Sequence, residues 1–224
     1  MAEPFCADHR RSGMVRGVTA AARERAALVT TMRDVGPDAP TLCGDWTTRD
    51  LAAHLVLRER RPDAAPGILI PALAGYTARK QKELTDSTDW PKLLDMVSAG
   101  PPLYSPLKLL DPLVNTTEMF IHHEDVRRAA PGWQPRELDG DLASALRRQV
   151  RLAARMSLSH PPATVTLKDS DGATLASIGK GPQCTITGRA SELVLFLSGR
   201  DAVQIEFTGD DSTVEQVRAA RRTL

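Results

Sequence analysis

Aromatic side chains make up only 4% of this 224-residue chain, so it lacks the stacking platform on which single-stranded nucleic acids are held. Charge of one sign is lacking as well: 29 Lys and Arg stand against 28 Asp and Glu, a formal net charge of +1. A binder of phosphate backbones carries a large basic excess, so no nucleic-acid partner is expected. Cysteine is confined to Cys6, Cys43 and Cys184, an odd number with no C-x-x-C pair. That excludes a disulfide framework and a thiolate zinc knuckle, and it fits a reducing, cytoplasmic setting. Long apolar runs are missing too. The most apolar stretch, Ile68 to Ala74, is interrupted by Pro71 and falls far short of the ~20 residues of a membrane helix. The opening MAEPFCADHRRSG has no apolar core of a secretory signal, and no membrane partner is expected. Also absent are the G-x-S-x-G elbow, the G-x-x-x-x-G-K-[ST] loop, a G-x-G-x-x-G after a strand, and H-E-x-x-H, so the usual hydrolase, nucleotide and metalloprotease signatures are missing.

What remains is an ordinary globular composition, 42% hydrophobic and 25% charged. At this length a chain buries about 70% of its unfolded surface, so the core needs no staples. Arginine far outnumbers lysine, as in proteins of GC-rich bacterial genomes.

The hydrophobic period changes near residue 160. Before it the pattern is helical. Val18, Ala22, Ala26, Val29 and Met32 recur at three- and four-residue steps in Val15 to Val35, which Gly36-Pro37 stops. A second helix starts at Thr47, with Asp50 three residues on as a capping-box partner, and runs through LAAHLVLRER to Pro62. Shorter helices follow Pro71 and Asp89-Trp90-Pro91. Asp111-Pro112 reads as an N-cap with proline at N1, opening a helix through LVNTTEMFIHHEDVRRAA, and a last helix covers Asp141 to Leu158. After His160-Pro161-Pro162 the period becomes two. Strands are predicted at Thr164 to Lys168, Ala173 to Ile178, Gln183 to Thr187 and Val203 to Phe207. Ser191 is expected to cap a short apolar helix, ELVLFLSG, and Ser212 or Thr213 to start a closing one. The chain therefore reads as α+β overall, a four-helix bundle over residues 1–160 followed by a small α+β domain over 161–224.

Glu118 and His122 are four residues apart, so a helix projects both from one face. That helix is apolar nearly all round, and a carboxylate buried beside an imidazole needs compensation, of which a bound metal is one form. His54 lies among Leu51, Leu55 and Leu57, a second polar group on an apolar helix. Two histidines and one carboxylate with an open fourth position make up the ligand set of a catalytic zinc site, and they suit other divalent ions. The same residues also read as hydrogen-bonded core. His123 leaves the register open, because either imidazole of the doublet can face inward. Asp125 lies three residues beyond His122 and Asp50 four before His54, so each could orient a ring from behind, or serve as a cap or solvated charge. Arg58, Arg60 and Arg61 could bind a carboxylate but read more simply as complements of a helix C-terminus, and Cys43 reads as packing.

The run LCGDWTTRDLAAHLVLRERRPDAAPG, with His54 inside it, resembles the first metal-ligand segment of the mycothiol-dependent maleylpyruvate isomerase family, DinB-like four-helix-bundle metalloproteins. NTTEMFIHHEDVRRA resembles the second segment of that family, a glutamate, three residues, a histidine, and an aspartate three further on, which fall on Glu118, His122 and Asp125. ITGRASELVLFLSGR and VQIEF resemble its small C-terminal domain. The doublet and the RERRPD segment point to a sub-branch, which the thiol named below would place among actinobacteria. The resemblance implies a divalent metal, usually zinc with nickel or manganese as alternatives, held by His54, Glu118 and His122. It implies mycothiol as thiol cosubstrate, and a small electrophile as substrate for isomerisation or S-transfer. Arg189 and Arg200 flank the C-terminal apolar helix and could close over an anionic ligand. The other reading is a non-catalytic metal- or ligand-binding protein on the same scaffold, with the site absent, sealed, or closed by a fourth ligand such as His123. A monomer or homodimer is expected.

Overall fold

A computed structural model of the chain describes residues 18–103, 105, 112–158 and 160–220. Six helices come first: α1 (Ala20–Val35), α2 (Thr48–Arg60), α3 (Ala74–Ser87), α4 (Trp90–Ala99), α5 (Pro112–Arg127) and α6 (Gly140–Ser157), with short 3-10 turns at Ala65–Ile68 and Pro71–Leu73 between α2 and α3. Then come β1 (Thr164–Lys168), β2 (Thr174–Ile178), β3 (Gln183–Thr187), α7 (Ala190–Leu197), β4 (Glu206–Gly209) and α8 (Asp211–Ala219). The architecture is α+β, as the sequence predicts. Among the described residues, no helix is long and apolar enough to cross a membrane.

Local chemistry sets the helix ends. The Thr19 hydroxyl accepts from Ala22 N at the start of α1, and Gly36 ends it with φ 85°, a left-handed conformation that glycine adopts without strain. α2 opens with the expected capping box: Thr47 accepts from Asp50 N, and the Asp50 side chain accepts from Thr47 N at 3.0 Å. The expected cap at Asp111 and the first turns predicted from Val15 lie outside the described residues.

Two buried clusters share α5. Met119 and Val126 face Leu28 and Met32 of α1, Leu51 and Leu55 of α2, and Leu93 and Val97 of α4. Phe120 and Ile121 face the other way, toward Leu146 and Val150 of α6, Val165, Leu167 and Ile186 of the sheet, and Leu193 and Leu197 of α7. Each fully buried leucine or phenylalanine contributes about 1.5–3 kcal/mol, and α5 is buried on both sides even though it carries Thr116, Thr117, His122, His123, Glu124 and Asp125 among its buried residues. α6 is one-sided instead, with Leu142, Ala145, Leu146, Gln149, Val150, Ala153 and Ala154 buried at alternating steps of three and one.

The sheet order is β2-β1-β3-β4. β1 and β2 form an antiparallel hairpin, β1 and β3 run parallel with Val165 opposite Cys184 and Leu167 opposite Ile186, and β4 returns antiparallel to β3. Three sequence expectations are corrected. α7 begins at Ala190 with Arg189 as N-cap, so Ser191 lies inside the helix. α8 likewise begins at Asp211, earlier than Ser212 or Thr213. The fourth strand pairs over Glu206–Gly209 rather than Val203 to Phe207. Upstream, side chains take the main-chain groups: Arg128 donates to Ala202 O at 2.7 Å, and Gln204 N donates to Glu192 Oε2 at 2.8 Å.

Candidate functional site

Helices α2 and α5 bring two histidines together. The rings of His54 and His122 are 5.6 Å apart between centroids and meet edge to face at 71°. Glu118, one turn before His122 on the same stripe of α5, places Oε2 3.5 Å from His122 Nε2, and its side chain is one-third exposed. The other nitrogen of His122, Nδ1, lies 3.1 Å from Asp125 Oδ2. The two His122 nitrogens thus face two different carboxylates.

Asp125 is fully buried and heavily held. Arg200, from the turn after α7, donates through Nε to Oδ1 at 2.8 Å and through Nη2 to Oδ2 at 2.6 Å, a two-pronged pairing suited to a guanidinium. The Cys43 thiol donates to Asp125 Oδ2 at 3.1 Å and lies 3.7 Å from Arg200 Nη2. Cys43 reaches this place because the loop before α2 is clipped to α5, with Leu42 N donating to Asp125 O at 3.0 Å. The same loop sets the Trp46 ring 5.1 Å from the ring of His54. From α2, Arg58 points its Nε at Glu118 Oε2, 3.6 Å away.

These surroundings separate the two imidazoles electrically. Burial drives the His54 pKa down to about 4, aided by the positive charges of His122 and Arg58, so His54 is neutral near pH 7 and keeps a free lone pair. Burial also disfavours charge on His122, but hydrogen bonds with Asp125, Cys43 and Glu118 outweigh it and raise its pKa well above the ordinary value. Burial alone would raise Glu118; the His122 hydrogen bond and the charges of His122, Arg58 and His54 bring it down to about 2. Asp125 likewise sits well below the ordinary carboxylate range despite its burial, because of His122 and Arg200.

Two donor sets therefore meet at His122. Cys43, His122 and Asp125 form a group whose donor atoms all lie within 4.8 Å of one another, a possible metal-binding triad. Arg200 already neutralises that group, and its guanidinium occupies the space beside both Cys43 and Asp125. On the Nε2 side is Glu118, and the His54 ring lies edge to face with that of His122. Two imidazoles and a carboxylate are donor types that suit a borderline divalent cation, but among the described residues the set His54, Glu118 and His122 does not bring its donor atoms as close together as Cys43, His122 and Asp125 do. A cavity of about 450 Å³ opens at His54, lined among others by Trp46, Asp50, Ile68, Thr77, Gln81 and Thr85. A larger hollow, about 550 Å³, at the end of α6 against α8 shares none of these residues.

The remaining sequence candidates lie elsewhere. His123 turns to α1, with Nδ1 2.7 Å from Glu24 Oε1 and Nε2 2.9 Å from Thr31 Oγ1, so it is not placed to close a ring of ligands with His54. The Asp50 carboxylate serves the capping box of α2, where it also accepts the Thr47 hydroxyl at 2.7 Å, and it does not orient His54. His54 bonds instead with Gln81. Arg189 caps α7 and pairs with Glu137 at 2.9 Å, half exposed and apart from the cluster. Arg200 does reach the cluster, but as the partner of Asp125. Sequence reasoning set aside Cys43 and Arg58. Their only signals were nearness in sequence to the Trp46 loop and the i, i+4 spacing of Arg58 from His54.

Neither a protein-family model nor a curated protein matches this chain. Among solved structures, the fold is similar to that described as the mycothiol-dependent maleylpyruvate isomerase, with a TM-score of 0.51 and 12% identity over 84% of this chain and 90% of that one. A histidine-to-alanine variant under the same description matches with a TM-score of 0.48 and 10% identity over the same shares. At such identity the likeness is one of fold, an α+β chain with its helices first and its small sheet last.

Proposed function

We propose that this protein is a divalent-metal enzyme that uses a small thiol, mycothiol in the reading its fold suggests, to act on a small electrophile by isomerisation or S-transfer. The observation that supports the reading is the ring contact of His54 with His122, with Glu118 Oε2 3.5 Å from His122 Nε2 and a cavity lined by His54. The relative with the same fold is described as mycothiol-dependent.

In this reading His54, Glu118 and His122 Nε2 hold the ion, with zinc the first choice and nickel or manganese as alternatives. Such an ion supplies Lewis acidity and makes a thiol a thiolate at neutral pH. The protein supplies the rest. Asp125 fixes the His122 ring through Nδ1, so that Nε2 is the nitrogen offered, and Arg200 fixes Asp125. Trp46 packs on His54 and limits its rotation. Glu118, partly exposed, marks the side from which solvent and reactants arrive. The cavity walls position the electrophile. A thiolate adding to an activated double bond forms a carbon–sulfur bond, the former double bond rotates, and expulsion of the thiolate restores it with the opposite geometry. Transfer to a saturated electrophile instead leaves the sulfur attached and releases the leaving group.

Elemental analysis tests the site. The purified protein is expected to hold close to one divalent ion per chain, and His54→Ala and Glu118→Ala are expected to lose it, while Cys43→Ala keeps it. A metal retained by His54→Ala but lost from Cys43→Ala would assign the ion to the Cys43, His122, Asp125 group instead. Folded protein that takes up no zinc, nickel or manganese would leave a non-catalytic role on the same scaffold.

A further inference from the structure

The most apolar stretch of the sequence does not enter the core. In Ile68 to Ala74, Leu69 is 82% exposed, Ile70 47%, Leu73 42% and Ile68 37%. Single exposed apolar residues are ordinary, but four large ones within six residues mark a surface that something apolar covers. The stretch is firmly held. Leu69 N and Ile70 N donate to Pro66 O at 3.1 and 2.9 Å, and Leu73 N donates to Ile70 O at 2.9 Å, so the short 3-10 turns satisfy their own main chain and leave these side chains outward. Gly67 pins the first turn to α3. A Cβ there would overlap Thr77 Oγ1 and the Leu73 carbonyl, and the Thr77 hydroxyl donates to Ala64 O.

What the stretch adjoins decides what covers it. Ile68 and Ala74 also line the cavity of about 450 Å³ at His54, so the apolar surface continues into a hollow of small-molecule size. The polar groups of the wall are already committed. Asp50 Oδ2 accepts from Thr47 N and from the Thr47 hydroxyl, Gln81 Nε2 donates to Asp50 O at 3.3 Å, and Thr85 Oγ1 donates to Gln81 O at 3.2 Å. Lys82 pairs with Asp86 at 2.8 Å, with its side chain mostly in solvent. A charged ligand would give up hydration and find no uncommitted partner among these groups, whereas an uncharged apolar one gains by leaving water.

We infer that the cavity at His54 binds an uncharged, apolar molecule, and that Ile68, Leu69, Ile70 and Leu73 are the outer part of its binding surface. The binding itself requires only these walls. That the molecule is the second reactant rests on the function proposed above, and the electrophile is then a neutral one with an apolar ring or chain.

The test titrates the full-length protein with N-phenyl-1-naphthylamine, a neutral probe whose fluorescence rises in apolar surroundings, and with 8-anilinonaphthalene-1-sulfonate, the same rings carrying a sulfonate. The neutral probe is expected to bind saturably at a single site, and the sulfonate at least about tenfold more weakly. Ile68→Asp should weaken the neutral probe by about tenfold or more, since it removes one apolar side chain and puts a charge in the wall. Leu152→Asp, at a comparably exposed leucine of α6, should leave it unchanged. Neither residue belongs to the buried core, so both variants should fold, which circular dichroism checks. No saturable binding of the neutral probe, equally tight binding of the sulfonate, or undiminished affinity in Ile68→Asp overturns the inference. So does a chain that sediments as a dimer and comes apart in Leu69→Asp, which would give the stretch to a second copy. The readout needs no metal. Protein that binds the naphthylamine but takes up no zinc, nickel or manganese keeps this inference and removes the metal reading, and metal-loaded protein that ignores the probe does the reverse.

Discussion

His122 is held between two carboxylates, and the division of labour between its nitrogens decides what the site can bind. Nδ1 is committed to Asp125, which is itself fixed by Arg200, so Nε2 is the nitrogen left toward Glu118. Asp125→Asn keeps the shape but weakens the charge that anchors both His122 and Arg200. It is expected to lower metal affinity by about 10–100-fold, read by dialysis against a colorimetric chelator. His123→Ala should leave metal content unchanged, since His123 serves Glu24 and Thr31. The sequence left this doublet undecided for a physical reason. Neighbouring residues on a helix diverge by about 100°, and α5 is buried on both sides, so hydrophobic pattern alone cannot say which imidazole meets α2. The Glu118, His122, Asp125 stripe was legible from its spacing. The place of Cys43 was not, because it depends on a loop clipped to α5 through main-chain atoms.

At the scale of elements, α2 carries both His54 and Arg58 to α5, so its start must be well fixed. Thr47 and Asp50 satisfy each other's main-chain donors there, while Thr85 of α3 also leans on Asp50 at 3.4 Å. Thr47→Ala is expected to cost about 1 kcal/mol, lowering the melting temperature by roughly 2–4 °C in a chain of this size. Thermal unfolding followed by far-UV circular dichroism measures it; a change within error would mean that packing alone sets the helix start. This box could be read directly from the sequence, as could the β1–β2 hairpin, because both signals are local. The extent of β4 could not. Alternation in Val203 to Phe207 predicts a strand, yet Arg128 and Glu192, distant in sequence, take the main-chain groups at Ala202 and Gln204 and delay the ladder. Long-range side-chain capture of this kind leaves no periodic trace.

For the whole molecule, the hydrophobic period changes at residue 160 but the buried cluster does not, since α5 and α6 pack with the sheet and α7. The same junction is bridged by charge. Glu124 on α5 accepts from Arg128 at 2.7 Å, from Arg127 at 2.8 Å and from Arg136 at 2.7 Å, and Arg128 reaches on to Glu192 of α7 at 2.6 Å. Burial alone would raise the Glu124 pKa, but the hydrogen bonds from Arg136 and Arg128, with the charges of Arg127 and Arg128, bring it below its ordinary 4.5. A carboxylate depressed on folding stabilises the folded state fully above the unfolded pKa, and that contribution drains away as the pH falls from about 4.5 through the lower folded value. Stability is therefore expected to decline on acidification below about pH 4.5, with part of the decline belonging to Glu124. Glu124→Gln removes that part. The variant should be less stable than the native protein at pH 7 by about 3–5 kcal/mol, the usual cost of stranding buried charge, and the gap should hold down to about pH 4.5 and narrow below it. Urea titrations of both proteins between pH 7 and pH 3 measure it. A gap that stays constant across that range would mean the arginines around Glu124 hold the fold by packing, with its charge contributing nothing.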